Sequence, residues 1–404
     1  MTYQQANRLQ GVHYDVRGKN MVEAQRMEAE GQRILKLNIG NLAPFGFETP
    51  ESMVRSMIAH LPESQGYSDS RGILTARTAV ANHYQEAAGL DVDVDQVLIG
   101  NGVSELISML LQALVNRDDE ILIPAPDYPL WTAQTTLTGG TAVHYLCDES
   151  NGWNPDLADI ESKITSRTRA IVLINPNNPT GAVYNREILQ GIVDLARAHD
   201  LIVLSDEIYE KIIYAGQHVY AAQLCGDDVL CFTFSGLSKA YRACGYRAGW
   251  VVVTGPVDQA ENLLEGLVLL ANMRMCSNVP AQHIIQTALG GYQSIQDLVK
   301  PGGRFHDQLT LAHQLLNEIP GVSCEPARGA LYLFPRLDPQ RYPITDDEEW
   351  ALGLLRNQKI LVSHGKGFNW PNPDHFRLVA LPEDAVLREA IGRIAEYCEQ
   401  TRQD

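Results

Sequence analysis

A lysine lodged among small and polar residues, Ser235-Gly236-Leu237-Ser238-Lys239-Ala240, shares its segment with Arg247, which glycines flank at 245 and 249. That pattern describes an amine held in a tight site beside a bound anion. A confined amine can attack a carbonyl carbon, and it can carry a proton between neighbouring atoms. Three further polar turns each follow an apolar run. After RAIVLI comes Asn175-Pro176-Asn177-Asn178-Pro179-Thr180-Gly181, stiffer and more polar than a connection requires. After LIVLS comes Asp206-Glu207-Ile208-Tyr209, a carboxylate at a strand end with a phenol close behind. After QVLIG comes Asn101-Gly102-Val103-Ser104-Glu105, a helix opening whose free N–H groups and dipole make a seat for a phosphate. Singly, each has an ordinary explanation: a helix cap, a rigid loop, a solvated lysine. Together they occupy equivalent places.

Those places follow from the elements around them. From about residue 97 short apolar runs alternate with amphipathic stretches: QVLIG then SELISMLLQALV, EILIP then a Pro-rich turn, RAIVLI then REILQGIVDLARAH, followed by LIVLS, LCFTF and GWVVV. Such alternation predicts an α/β fold around a mainly parallel sheet with buried strands. In open sheets of this kind ligands bind outside the carboxyl ends of the strands, which is where the polar turns lie. The sheet is expected to build a large domain over 45–300. After Pro301-Gly302-Gly303 the pattern changes to a long helix (RFHDQLTLAHQLLNEI), strands around GALYLFP and HFRLVAL, and a closing helix near 383–400. Residues 301–404 are expected to form a smaller α+β domain with residues 1–44. Helices are also expected at 22–33 and Glu51–Leu61, and a strand at ILKLNIGN.

The bulk properties narrow the function. Across 404 residues the formal net charge of −17 argues against general affinity for nucleic acid or anionic membranes, which clustered Lys and Arg would be needed to hold. The N-terminus has no signal-peptide run and no stretch is apolar enough to span a bilayer, so a cytoplasmic location is expected. The 7 cysteines form no CxxC pair, and neither HExxH nor grouped His and Cys ligands occur, so no metal is implied. Gly365-Lys366 does not close a P-loop, because Ile360 stands where the first glycine would be needed.

The order NPNNPTG, D-E-I-Y, S-K and G-Y-R-A-G at these spacings resembles the class I and II aminotransferases of pyridoxal phosphate (PLP) fold type I, over essentially the whole chain. The resemblance implies a seven-stranded sheet, a PLP cofactor, and amino-acid and 2-oxo-acid substrates. PLP is an aldehyde on an electron-withdrawing ring, and Lys239 is implied as the amine that holds it and later moves the substrate's proton. Asp206 is implied to pair with the ring nitrogen, Tyr209 and Asn178 to bond the ring's phenolate oxygen, and Tyr128 to stack on the ring. For the phosphate the resemblance implies Arg247, Val103 and Ser104, with Tyr67 arriving from a neighbouring subunit, and hence a homodimer with shared active sites. Arg377 is implied to grip the substrate's α-carboxylate, assisted by the backbone near Gly40 and by Asn178. One position departs from the pattern: where many relatives have a phosphate-binding serine stands Gly236, with Ser235 and Ser238 as substitutes.

The segments LNIGNLAPFGF, GNGVSELI, PAPDYPLW and GALYLFP together resemble those of alanine aminotransferases, which implies L-alanine + 2-oxoglutarate giving pyruvate + L-glutamate. Tyr14-Asp15-Val16-Arg17-Gly18 lies where relatives fold the N-terminus over the site, so Arg17 is a candidate partner for the distal carboxylate of glutamate. Other readings stay open: an aminotransferase for aromatic, branched-chain or aspartate side chains, a PLP lyase or synthase of the same fold, or a non-enzymatic protein on a retired fold.

Overall fold

The computed structural model describes residues 3–12, 14 and 18–403. Its strands, in chain order, begin with β1 (Leu35–Lys36), β2 (Val97–Gly100), β3 (Glu120–Ala125), β4 (Thr141–Asp148) and β5 (Asn154–Pro155). They continue with β6 (Thr168–Ile174), β7 (Ile202–Asp206), β8 (Cys231–Gly236) and β9 (Gly249–Thr254). The C-terminal part adds β10 (Val322–Ser323), β11 (Tyr332–Leu333), β12 (Arg336–Leu337), β13 (Ile360–Leu361), β14 (Ser363–His364) and β15 (Phe376–Val379).

One sheet of order β2-β9-β8-β7-β6-β3-β4-β5 dominates. The expected seven strands are joined by an eighth, the two-residue β5, which pairs antiparallel with the end of β4 and places Pro155 at the sheet edge, where a missing N–H is tolerated. Apart from Arg169 and Ile202 near their starts, the central strands β6, β7 and β8 are buried, because helices cover both faces. Ile171 and Leu173 of β6 pack with Leu122, Val203 and the helix Arg186–Ala198 on one side. Alternate residues Ala170, Val172 and Ile174 meet Leu204, Phe234 and the helix Val103–Leu114 on the other. The period-two alternation is thus apolar on both phases, as a doubly covered sheet demands.

Strands β8, β7, β6, β3 and β4 run parallel. Strand β9 is antiparallel to both its neighbours, so β2 again points with the majority. The carboxyl ends of β2, β3, β6, β7 and β8 therefore share one edge, and β9 begins there. From β3 the chain moves outward to β4 and then returns to β6 on the opposite side. The crevice between β3 and β6 is the point at which strand order reverses.

Three small sheets come from outside this segment: β1 with β13, β10 with β12, and β11-β15-β14. The helices Lys19–Ala29, Glu51–His60, Arg304–Asn317 and Asp384–Thr401 stand close to their expected positions. Among the described residues no helix is long and apolar enough to cross a membrane.

Candidate active site

The shared strand edge opens into a cavity of about 660 Å³. Lys239, which follows β8, lines it and donates from Nζ to the Gly40 carbonyl at 3.0 Å. Gly40 itself lies on the loop after β1, so strands distant in sequence meet over this amine.

Asp206 ends β7 opposite Ile174 of β6 and Phe234 of β8, which fixes its depth in the sheet. It is buried, and it accepts from Trp131 Nε1 and from the Ile208 backbone N–H, both at 3.3 Å. Burial raises its pKa to about 6, against the lowering effect of those two donors. Behind it lies a second buried acid layer. Glu207 accepts from the Ser205 hydroxyl at 2.8 Å and from the Ala221 N–H at 3.1 Å, with His218 Nε2 at 3.0 Å. Glu210 accepts from the Ser235 hydroxyl at 3.2 Å. Burial opposes ionisation of Glu210, yet His83, at 3.5 Å, holds it down at about 2.

The raised Asp206 has a measurable consequence. Without cofactor, the folded carboxyl keeps its proton to higher pH than an unfolded one with the ordinary value of 3.8, so stability falls as pH rises from 3.8 through about 6 and stays lower above. Asp206→Asn removes that titration. Denaturant midpoints of the cofactor-free proteins between about pH 4 and about pH 7 should therefore show the variant gaining on the wild type across this window. Parallel curves would mean that Asp206 is not a desolvated acid.

Across the cavity, Arg377 of β15 is buried, and Nη1 donates to Asn178 Oδ1 at 2.8 Å while Nη2 donates to the Asn38 carbonyl. Among the described residues its Nε has no hydrogen-bond partner. The guanidinium lies 4.4 Å from the ring centroids of both Tyr332 and Phe368. Tyr332, on the neighbouring β11, places its hydroxyl 2.7 Å from that of Tyr209. Burial works against ionising either phenol, but Lys239 and Arg377 outweigh it at Tyr332 and lower its pKa, whereas Tyr209 is pushed up. Asn178 follows β6, and Tyr128 follows β3; both line the cavity.

At the other end, Arg247 lines the cavity and donates to the carbonyls of Cys244 at 2.8 Å and Asn101 at 3.1 Å. Val103 and Ser104 begin a helix beside it and also line the cavity. Gly102 precedes that helix with φ +82, and a Cβ there would stand 2.3 Å from the Arg247 guanidinium. At Gly236 a Cβ would lie 2.8 Å from the Ala248 carbonyl oxygen and 2.9 Å from Gly249 Cα, so the close approach of β8 and β9 explains the departure from serine. Of the two substitutes, Ser238 lines the cavity, while Ser235 bonds Glu210 behind the strand.

Two expected residues do not line the cavity and one lies outside the described residues. Tyr67 is 79% exposed and does not line the cavity of its own chain. Tyr14 sits over Tyr128, with hydroxyls 2.9 Å apart and rings edge to face. Arg17 is outside the described residues. Four residues here were not singled out from sequence. Tyr332, Trp131, Asn38 and Phe368 read locally as strand, core or loop, and only tertiary pairing brings them to the site.

The arrangement matches a particular kind of ligand. Lys239, Arg247 and Arg377 have only neutral acceptors as hydrogen-bond partners among the described residues, although Arg377 is fully enclosed. A buried guanidinium without a counter-ion, as at Arg377, calls for a bound anion, and the half-buried Arg247 offers a second anion seat. The anion seat at Arg247 and the carboxylate of Asp206 fit the phosphate and the ring nitrogen of PLP, with the Lys239 amine in the same cavity for its aldehyde. Arg377 is left for a further carboxylate.

Comparison with known proteins agrees with this reading. The family model "Aminotransferase class I and II" matches residues 32–394. The chain is 60% identical over 403 residues to an alanine aminotransferase of Mycobacterium tuberculosis, covering 99% of this chain and 94% of that one. It is 53% identical over 394 residues to the glutamate-pyruvate aminotransferase AlaA of Escherichia coli, covering 98% and 97% respectively. A solved aminotransferase structure from Escherichia coli superposes with TM-score 0.98 at 52% identity, covering 100% of both chains.

Proposed function

The chain belongs to the class I and II aminotransferases, which use pyridoxal phosphate, and from that premise we propose that it interconverts L-alanine + 2-oxoglutarate and pyruvate + L-glutamate. The observation that carries the reading is Arg377: an enclosed guanidinium, anchored by Asn178 and Asn38, with Nε unspent, lining the same cavity as the Lys239 amine. It supports a substrate that presents a carboxylate next to the group on which the amine acts.

Bound in this cavity, the cofactor supplies an aldehyde and a ring that withdraws electrons from the substrate Cα when its proton leaves. The residues divide the remaining work. Arg247, Val103, Ser104 and Ser238 hold the phosphate, and Gly102 allows the guanidinium to approach the helix N-terminus. Asp206, backed by Trp131, holds a proton on the ring nitrogen. Tyr209 and Asn178 bond the ring's oxygen substituent, and Tyr128 packs on the ring face. Arg377 and the Gly40 backbone would fix the substrate carboxylate so that Cα faces Lys239, whose amine would take up and give back the Cα proton.

A homodimer completes the site. Tyr67, Leu74, Met273 and Met275 are exposed at 79, 63, 74 and 51%, on segments tied by Arg274 donating to the Ser70 carbonyl at 3.2 Å. These exposed apolar side chains support a subunit contact through which Tyr67 reaches the partner's phosphate. The division into a cofactor-holding body over 45–300 and a smaller one from 1–44 and 301–404 is supported by confinement of the eight-stranded sheet to strands between Val97 and Thr254. Seven free thiols fit the reducing cytoplasm.

The substrate assignment is tested with a panel of amino donors against 2-oxoglutarate; alanine should give the highest kcat/KM, and a clear preference for aspartate, aromatic or branched-chain donors would replace it. Arg17, three residues after Tyr14 in the sequence, is assigned to the distal carboxylate. A charge-assisted hydrogen bond contributes about 1.5–3 kcal/mol, so Arg17→Ala should raise KM for 2-oxoglutarate roughly ten- to 100-fold and leave pyruvate little changed. An equal effect on both would remove that role.

A further inference from the structure

Away from the cavity, the helix Glu51–His60 ends against the helix Val279–Gly290, and three side chains with metal-ligand chemistry converge there. They are His60, Glu63 and His283, whose ligand atoms all lie within 4.8 Å of one another. None of the three lines the cofactor cavity. The two imidazoles are stacked, with centroids 4.7 Å apart and planes inclined by 13°.

Their surroundings prepare them as ligands. His60 Nδ1 lies 2.8 Å from the Ser56 carbonyl, an acceptor, so Nδ1 carries the proton and Nε2 keeps its lone pair. A backbone carbonyl on the far nitrogen is the usual outer partner of a metal-binding histidine. The Ser64 hydroxyl donates to the His60 carbonyl at 2.8 Å, fixing the corner that carries Glu63. Thr287 Oγ1 donates to Ser56 Oγ at 3.0 Å, tying the two helices together beside the site.

We propose that His60, Glu63 and His283 bind one divalent transition-metal ion, with zinc as the representative, and that the ion ties the end of the first helix to the second. Two nitrogens and a carboxylate oxygen suit zinc, with water at the remaining position. Ligand atoms around a tetrahedral zinc stand about 3.3 Å apart, so the three side chains must draw together by roughly 1.5 Å at most, and the stacked imidazoles must turn out of their near-parallel planes for both ring nitrogens to face one ion. No sequence motif announces the set, because its third ligand comes from a distant helix. The corner it would brace, 61–66, leads directly into Tyr67.

The test is zinc chloride titrated into chelator-treated holoenzyme, followed by competition with a chromophoric chelator and by the melting temperature. The wild type should take up one more ion per chain than the double variant His60→Gln, His283→Gln, and zinc should raise only the wild-type melting temperature. Glu63→Gln, a substitution at an exposed position, should weaken that ion by at least about tenfold while metal-free transamination stays unchanged. Equal zinc uptake and equal melting shifts in wild type and double variant would overturn the proposal, since any binding would then belong to thiols or cofactor. Loss of uptake in the double variant with no change in Glu63→Gln would overturn the three-ligand form.

Discussion

Lys239→Ala is expected to lower kcat for alanine and 2-oxoglutarate by at least about 10,000-fold, the upper range for loss of a positioned acid–base group, with further loss from the missing nucleophile. Folding should be little affected. The amine's hydrogen bond goes to the Gly40 carbonyl, and the surrounding strands β8 and β9 are held by their own ladder. Cofactor should still bind through Arg247, the helix at Val103 and Asp206, because none of those contacts passes through Lys239. A small primary amine added to the solution should restore part of the activity, since truncation leaves room in the cavity for an exogenous proton carrier. Lys239→Arg should be as inactive as the alanine variant, because a guanidinium keeps the charge but does not give up its proton. Activity within about tenfold of wild type in either variant would take the catalytic role away from this residue.

Arg377→Ala should lower kcat/KM by roughly 100- to 10,000-fold for all four substrates, corresponding to the ~3–5 kcal/mol that follows from leaving a buried charge without its partner. The uniformity is the informative part. Alanine, glutamate, pyruvate and 2-oxoglutarate share the α-carboxylate and differ in the side chain, so loss of its anchor cannot discriminate among them. Arg377→Lys should recover little, because an ammonium lacks the planar fork and the stacking between Tyr332 and Phe368, each ring centroid 4.4 Å away. A selective loss of 2-oxoglutarate and glutamate would instead make Arg377 the reader of the distal carboxylate and leave Arg17 without a task.

The parts of this site that were legible in the sequence are those that sit at strand ends. Asp206, Asn178, Lys239 and the Val103 helix opening each follow an apolar run, and the parallel sheet carries all of those ends to one edge, so local pattern was enough to group them. The register of β6, β7 and β8 then set their relative depth. Arg377 lacked such a signal: HFRLVAL reads as a strand with one charge, and family resemblance alone nominated it. Tyr332 was invisible for the same reason. Its hydroxyl reaches Tyr209 only because β11 pairs with β15, a contact between short strands that no local period encodes. Trp131 looks like an ordinary core aromatic, and its donor role toward Asp206 depends on the packing of the helix Leu130–Leu137 against the sheet. The eighth strand was missed because two residues, one of them proline, carry no strand pattern. Gly236 was legible as a departure but not as a necessity, which came from the backbone of β9 standing too close for any side chain.

The most direct test of the central claim is a single-turnover measurement: purified protein loaded with pyridoxal phosphate is mixed with L-alanine and no acceptor, and pyruvate and ammonia are quantified per active site. One equivalent of pyruvate should form and the reaction should stop, with no ammonia, until 2-oxoglutarate is added and glutamate appears in step with further pyruvate. Continuous ammonia release, or no pyruvate from a protein that holds its cofactor, would contradict an alanine aminotransferase built around Lys239.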